Sequence, residues 1–98
     1  MRALGMEVST SEGQIGVKSL ARLNQWSGRQ DNAMTLVNVI GILPGRDRSL
    51  PAVLLMAHHD TVWGSPGAAD DTAGIAATLE VVRAIKAKGQ PARDLVLL

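Results

Sequence analysis

The run Ala52-Val53-Leu54-Leu55-Met56-Ala57 ends directly on His58-His59-Asp60, and this junction constrains the fold more than any other stretch. An unbroken apolar run without alternation predicts a strand covered on both faces. Such strands sit in sheets with helices packed on them, where ligand and metal groups gather at the ends of strands and the starts of helices. After a Gly64-Ser65-Pro66-Gly67 loop the pattern predicts a helix over about Thr72 to Lys88, with Ile75, Leu79, Val82 and Ile85 on one face. Arg83, Lys86 and Lys88 suit the negative end of its dipole, and Gly89 and Pro91 stop it. Asp94 to Leu98 then reads as another buried strand. A strand–helix–strand unit of this kind predicts neighbouring parallel strands.

The remainder is less regular. Arg2-Ala3-Leu4-Gly5 reads as the last turn of a helix with a glycine stop, and Met6 to about Thr10 as a short strand. Ser11 to Met34 is mixed and rich in Gly, Ser, Gln and Asn, with a weak strand expected around Leu20 to Trp26. Thr35 to Leu43 is rich in β-formers and ends on the turn dipeptide Pro44-Gly45, followed by the polar loop Arg46 to Ser49. The class is α/β, with an antiparallel hairpin expected at the front. Because the chain stops within a hydrophobic strand, residues 1–98 are expected to form a single incomplete domain.

Composition removes several functions. With ten Lys and Arg against nine Asp and Glu, and two aromatic residues, there is neither a basic stripe nor a stacking platform, so no nucleic acid is expected. The absence of cysteine excludes disulfides and thiolate metal sites. No apolar run approaches the ~20 residues that span a bilayer.

His58 and Asp60 lie two apart on extended backbone and can share a face, with His59 opposite. A ligating histidine is commonly held at its other ring nitrogen by a carboxylate, which makes His58 the candidate ligand and Asp60 its support. Asp70 and Asp71 open the helix, where carboxylates are favoured, after the small residues Gly67-Ala68-Ala69. A carboxylate placed there could bridge two cations, one partly held by His58.

Three stretches together resemble the co-catalytic di-zinc aminopeptidases of peptidase family 28. They are Asn38 to Gly45, ending in Pro-Gly; Ala57-His58-His59-Asp60-Thr61-Val62; and Pro66-Gly67-Ala68-Ala69-Asp70-Asp71-Thr72-Ala73-Gly74-Ile75-Ala76-Ala77. The resemblance implies a three-layer α/β/α zinc-peptidase fold with a mixed sheet, and a peptide as substrate. It implies that His58 ligates one Zn2+, that Asp70 bridges both ions of the complete domain, and that Asp60 is the catalytic-site partner behind His58. An unusual cis peptide after Asp70 is also implied. Family members continue with a Glu-Glu pair, a further Asp and a His, none of which lies in Met1–Leu98, so this chain alone is expected to be inactive and to bind zinc weakly. The His58-to-Asp70 spacing suits members whose catalytic domain is extracytoplasmic, whether periplasmic, secreted or membrane-attached.

Plainer readings stand beside these. His59 reads as packing or surface, Glu80 as a structural helix residue, Arg46, Asp47 and Arg48 as a solvated turn, and Trp26 and Trp63 as packing, with pocket lining a minority role for Trp63. Asp70 taken alone would be a helix cap, and Asp71 fits first-turn stabilisation as well as a site role. The competing functions are a non-catalytic peptidase-like binding module, a truncated remnant without function, and a carboxypeptidase or deacylase of peptidase family 20. That last family usually has a longer gap and a Lys-Gly-Gly-like run where this chain has Thr72-Ala73-Gly74. Glutaminyl cyclases share the fold. Substrate side-chain preference and oligomeric state are not encoded in any motif here.

Overall fold

The computed structural model describes all residues 1–98. After one 3₁₀ turn, Arg2–Leu4, the chain forms β1 (Glu7–Gln14), α1 (Val17–Ser27), β2 (Thr35–Leu43), β3 (Val53–Leu55), a wide turn at Ala68–Thr72, α2 (Ala73–Ala87) and β4 (Leu95–Leu97). The four strands make one mixed sheet in the order β1-β2-β4-β3. β1 runs antiparallel to β2 from Glu7↔Ile42 to Gln14↔Thr35. β2 is antiparallel to β4 only over Gly41–Leu43, and β3 is parallel to β4. The parallel pair joined through α2 is therefore present, and the class is α/β with a mixed sheet, as the patterns predict.

The core lies where α2 crosses the sheet. Val82, at the centre of the predicted apolar face, is fully buried against Met6, Leu43, Leu95 and Leu97, with Leu79 and Ile85 packed alongside. Gly5 ends the first turn at φ +76°, its N–H donating to the Arg2 carbonyl, and Lys86 of α2 donates to the Leu4 carbonyl at 2.7 Å. The turn after β2 is stitched to the start of β4. Asp94 accepts from the Gly45 N–H at 2.8 Å, and a Cβ on Gly45 would collide with the Arg93 backbone. Arg48 donates to Asp94 and to Glu7, so the stretch read as a solvated turn ties three segments together.

Two expectations need correction. Residues Leu20 to Trp26 are helical, not a strand. Leu, Ala, Arg and Gln are good helix formers with no β-branch among them, and glycines frame the segment, Gly16 extended at the start and Gly28 left-handed at the end. This helix separates β1 from β2, so the antiparallel pair is a long ribbon rather than a tight hairpin. β3 is also shorter than the apolar run and is not covered on both faces. Val53 and Leu54 are about half exposed and Met56 is more so, because only β4 pairs with β3 and a single helix lies over the sheet.

Candidate metal centre

β3 delivers the chain to the site. Its pairing with β4 is extended by Leu98 N–H to the Leu55 carbonyl and Ala57 N–H to the Leu98 carbonyl, 2.9 and 3.0 Å. His58 is therefore the first residue beyond a hydrogen-bonded edge. The loop that follows is a tight turn, with Ser65 N–H donating to the Val62 carbonyl at 3.0 Å and Gly64 at φ +81°. Thr61 Oγ1 donates to the Ser65 carbonyl and Ser65 Oγ accepts from Gly67 N–H. Gly67 is left-handed at φ +67°, and any Cβ there would strike Thr61 Cγ2. The loop is thus folded back on itself, and it returns Asp70 to the side of His58.

His58 Nε2 lies 2.9 Å from Asp70 Oδ1. His58 Nδ1 lies 3.0 Å from the Asp60 carbonyl and 3.4 Å from Asp60 Oδ1. Asp60 does meet the imidazole, but its backbone oxygen is closer than its carboxylate, which is largely exposed. His59 makes no contact of this kind. Asp70 and Asp71 are joined by a cis peptide and have non-helical backbone angles, so α2 proper begins after them.

Both nitrogens of His58 face oxygen acceptors. A neutral imidazole carries one proton, so with Nδ1 donating to Asp60 the Nε2 lone pair would oppose a carboxylate oxygen. The arrangement is relieved by a second proton or by a cation. Accordingly the His58 pKa is raised from its ordinary 6.5, chiefly by the Asp60 carbonyl, against a smaller desolvation effect, with Asp70 and the Asp60 charge adding to the rise. The donor chemistry of His58 and Asp70 therefore fits a metal ion. The number of donors does not complete a site, because no group of three His, Asp or Glu side chains converges, whereas a catalytic zinc takes three protein ligands.

Asp71 has a role that sequence reading left open. Its Oδ1 accepts from Gly74 N–H at 3.0 Å, which caps α2, and its Oδ2 lies 3.4 Å from the His58 N–H. It thereby clamps the end of β3 to the start of α2. A Cβ on Gly74 would fall on this carboxylate. The spacing from Asp71 to Gly74 was the available signal, since a capping carboxylate reaches the N–H three residues on. Asp94 carried no such signal, because its partner lies 49 positions away.

Beside the pair runs an open groove of about 1120 Å³, lined by Thr35 to Val39 of β2, Leu23 of α1, and Ile75 and Leu79 of α2. His58, Asp60 and Asp71 lie along it.

Residues 38–98 match the profile described as Peptidase family M28. The chain is 44% identical over 59 residues to the vacuolar membrane protease of Candida dubliniensis, covering 60% of this chain and 6% of that protein. It is 29% identical over 97 residues to endoplasmic reticulum metallopeptidase 1 of Mus musculus, covering 99% of this chain and 10% of the relative. The rat protein of the same name is 35% identical over 82 residues, with 84% and 9% covered. The chain spans about a tenth or less of the length of these relatives. No solved structure matches it significantly.

Proposed function

The chain belongs to peptidase family M28, and on that premise we propose that it contributes to the di-zinc centre of an aminopeptidase, with His58 and Asp70 holding metal and Asp60 orienting His58. The observation that supports this most is the approach of His58 Nε2 and Asp70 Oδ1 to 2.9 Å, while Nδ1 is engaged by Asp60. When bound, the zinc ions would polarise the scissile carbonyl and lower the pKa of a water. The chain's own residues prepare for that chemistry. Asp60 fixes the imidazole through Nδ1, which leaves Nε2 directed at Asp70. The second oxygen of Asp70 makes no hydrogen bond within the chain and is free to serve a neighbouring ion. Asp71 holds the His58 backbone against α2 and keeps the two donors in register. The substrate class is a peptide with a free N-terminus. With two donors, Met1–Leu98 alone holds zinc weakly and does not hydrolyse peptides. No helix is long and apolar enough to cross a membrane. The names of the vacuolar and endoplasmic reticulum relatives support an extracytoplasmic position, in a membrane-bounded compartment or outside the cell.

The test is hydrolysis of leucyl-4-nitroanilide and its N-acetylated counterpart by the protein in its full natural length. Zinc-dependent cleavage of the free-amine substrate alone, lost on chelation and in His58→Ala, is the expected result. Cleavage that prefers the blocked substrate would replace the aminopeptidase reading with a deacylase or carboxypeptidase. Activity untouched by chelator would remove the metal.

A further inference from the structure

α1 has two dissimilar sides. Leu20 is buried, Leu23 lines the groove beside His58, and Asn24 is pinned through paired hydrogen bonds with the Asp31 backbone, Nδ2 to O at 2.8 Å and N–H to Oδ1 at 3.1 Å. At 100° per residue these positions, with Ser27, fall on one side. The opposite side carries Lys18, Ala21, Arg22 and Gln25, with Val17 at one flank and Trp26 at the other. Val17 is 84% and Trp26 79% exposed, the highest values among the large apolar side chains. Lys18 and Arg22 stand one turn apart, exposed, and neither enters an ion pair, whereas Arg29 nearby is paired with Asp31. No acidic residue occurs between Glu12 and Asp31.

The placement of Lys18 is informative. It sits in the first turn, at the positive end of the helix dipole, where a cation is disfavoured. Gly16 offers no side-chain cap, and the first turn holds no acid. A helix serving only to join β1 to β2 would gain from an acidic residue there. The positive field is instead left unopposed beside the exposed side of α1. Within Met1–Leu98, α1 makes only sparse contact with the other elements.

We propose that the outward face of α1 docks on an anionic lipid surface. Lys18 and Arg22 meet the headgroup phosphates and carboxylates, and Trp26 lodges its indole at the interface, where an apolar body with one polar edge is favoured. Val17 adds a small aliphatic contact on the other flank. Leu23 on the other side of α1 still lines the groove, so docking would bring that wall of the groove near the bilayer. This placement does not depend on the metal-centre reading.

The experiment is co-sedimentation of the chain with vesicles of phosphatidylcholine containing phosphatidylserine, and with phosphatidylcholine alone. Binding is expected on the anionic vesicles only, and it should weaken with added salt. At about a factor of five per cation, the double variant K18A/R22A should lose on the order of 25-fold in affinity. The charge-preserving K18R/R22K should bind like the parent, and helical circular dichroism should be unchanged in both. In Trp63→Phe, emission from the remaining Trp26 should shift to the blue on anionic vesicles. Equal binding to neutral vesicles, or binding that survives both K18A/R22A and W26A, would place the contact elsewhere and overturn the proposal. Release by millimolar inorganic phosphate beyond the effect of chloride at equal ionic strength would also overturn it, because the ligand would then be free phosphate.

Discussion

At the scale of single residues, the proposed site turns on how His58 is held. Because the largest influence raising its pKa is the Asp60 carbonyl, Asp60→Ala should leave the imidazole titrating above 6.5, whereas Asp70→Asn should bring it down. Proton NMR of the His58 ring in the metal-free chain reads both, and a larger fall in Asp60→Ala would assign the effect to the carboxylate instead. The sign for stability follows. A histidine whose folded pKa is raised contributes fully below its unfolded value, and the contribution is lost as pH rises through the folded value. Metal competes with the same proton at Nε2, so zinc affinity should fall as pH drops through the folded value of His58. Supports behind a ligand are commonly worth ~10–100-fold in metal affinity. Since the Asp60 carbonyl survives truncation, Asp60→Ala should lie near the low end, about tenfold by zinc titration. Gly74→Ala separates stability from site geometry. Alanine gains up to ~1 kcal/mol of helix propensity, and displacing the Asp71 cap loses ~0.5–2 kcal/mol. Net stability should change by less than about 1 kcal/mol, yet zinc affinity should drop because the clamp on His58 is gone.

At the scale of elements, α2 was legible because its apolar residues repeat at helical spacing, and its start is marked by carboxylates. Val82 is the centre of that face and has no exposed surface. Val82→Ala removes about two methylene equivalents, roughly 1.6 kcal/mol, and leaves a cavity as well, so about 2–3 kcal/mol should be lost in urea unfolding. A change under 1 kcal/mol would mean the helix is not seated on the sheet as described. α1 was misjudged because its polar, glycine-flanked sequence has little apolar face, and the decisive signal was the helix-forming composition between two glycines. β3 was overestimated for the opposite reason. An apolar run reports what a strand can bury, but the strand's length is set by its partner, and β4 offers three paired positions. The bond from Asp94 to Gly45 was invisible for want of any local pattern, although it links the end of β2 to the start of β4. The His58–Asp70 pair was readable from the order of its two motifs, while the closer approach of the Asp60 carbonyl than of its carboxylate depends on backbone path and could not be read from residue types.

At the scale of the molecule, stability is distributed unevenly. Nine of 98 residues are buried, and the radius of gyration is 16.6 Å, against about 13 Å for a compact chain of this length. The excess comes from the ribbon and α1, which extend beyond the end of β4 because β2 pairs with it only over Gly41–Leu43. The buried side chains of α2, β4 and the last residues of β2 form one cluster, and α1 shares none of it. Local opening should therefore free α1 and the Ser11–Gln14 end of the ribbon without disturbing the core, at a free energy well below that of global unfolding. Native-state hydrogen exchange should show two classes of amide, slow around Val82 and Leu97 and fast in α1. Val82→Ala should accelerate the slow class and leave the fast one unchanged, since an opening that does not expose Val82 cannot feel its loss. If α1 amides exchanged as slowly as those of α2 and responded equally to Val82→Ala, the ribbon would be part of the same cooperative unit. The independent helix face described above would then have to be buried in solution.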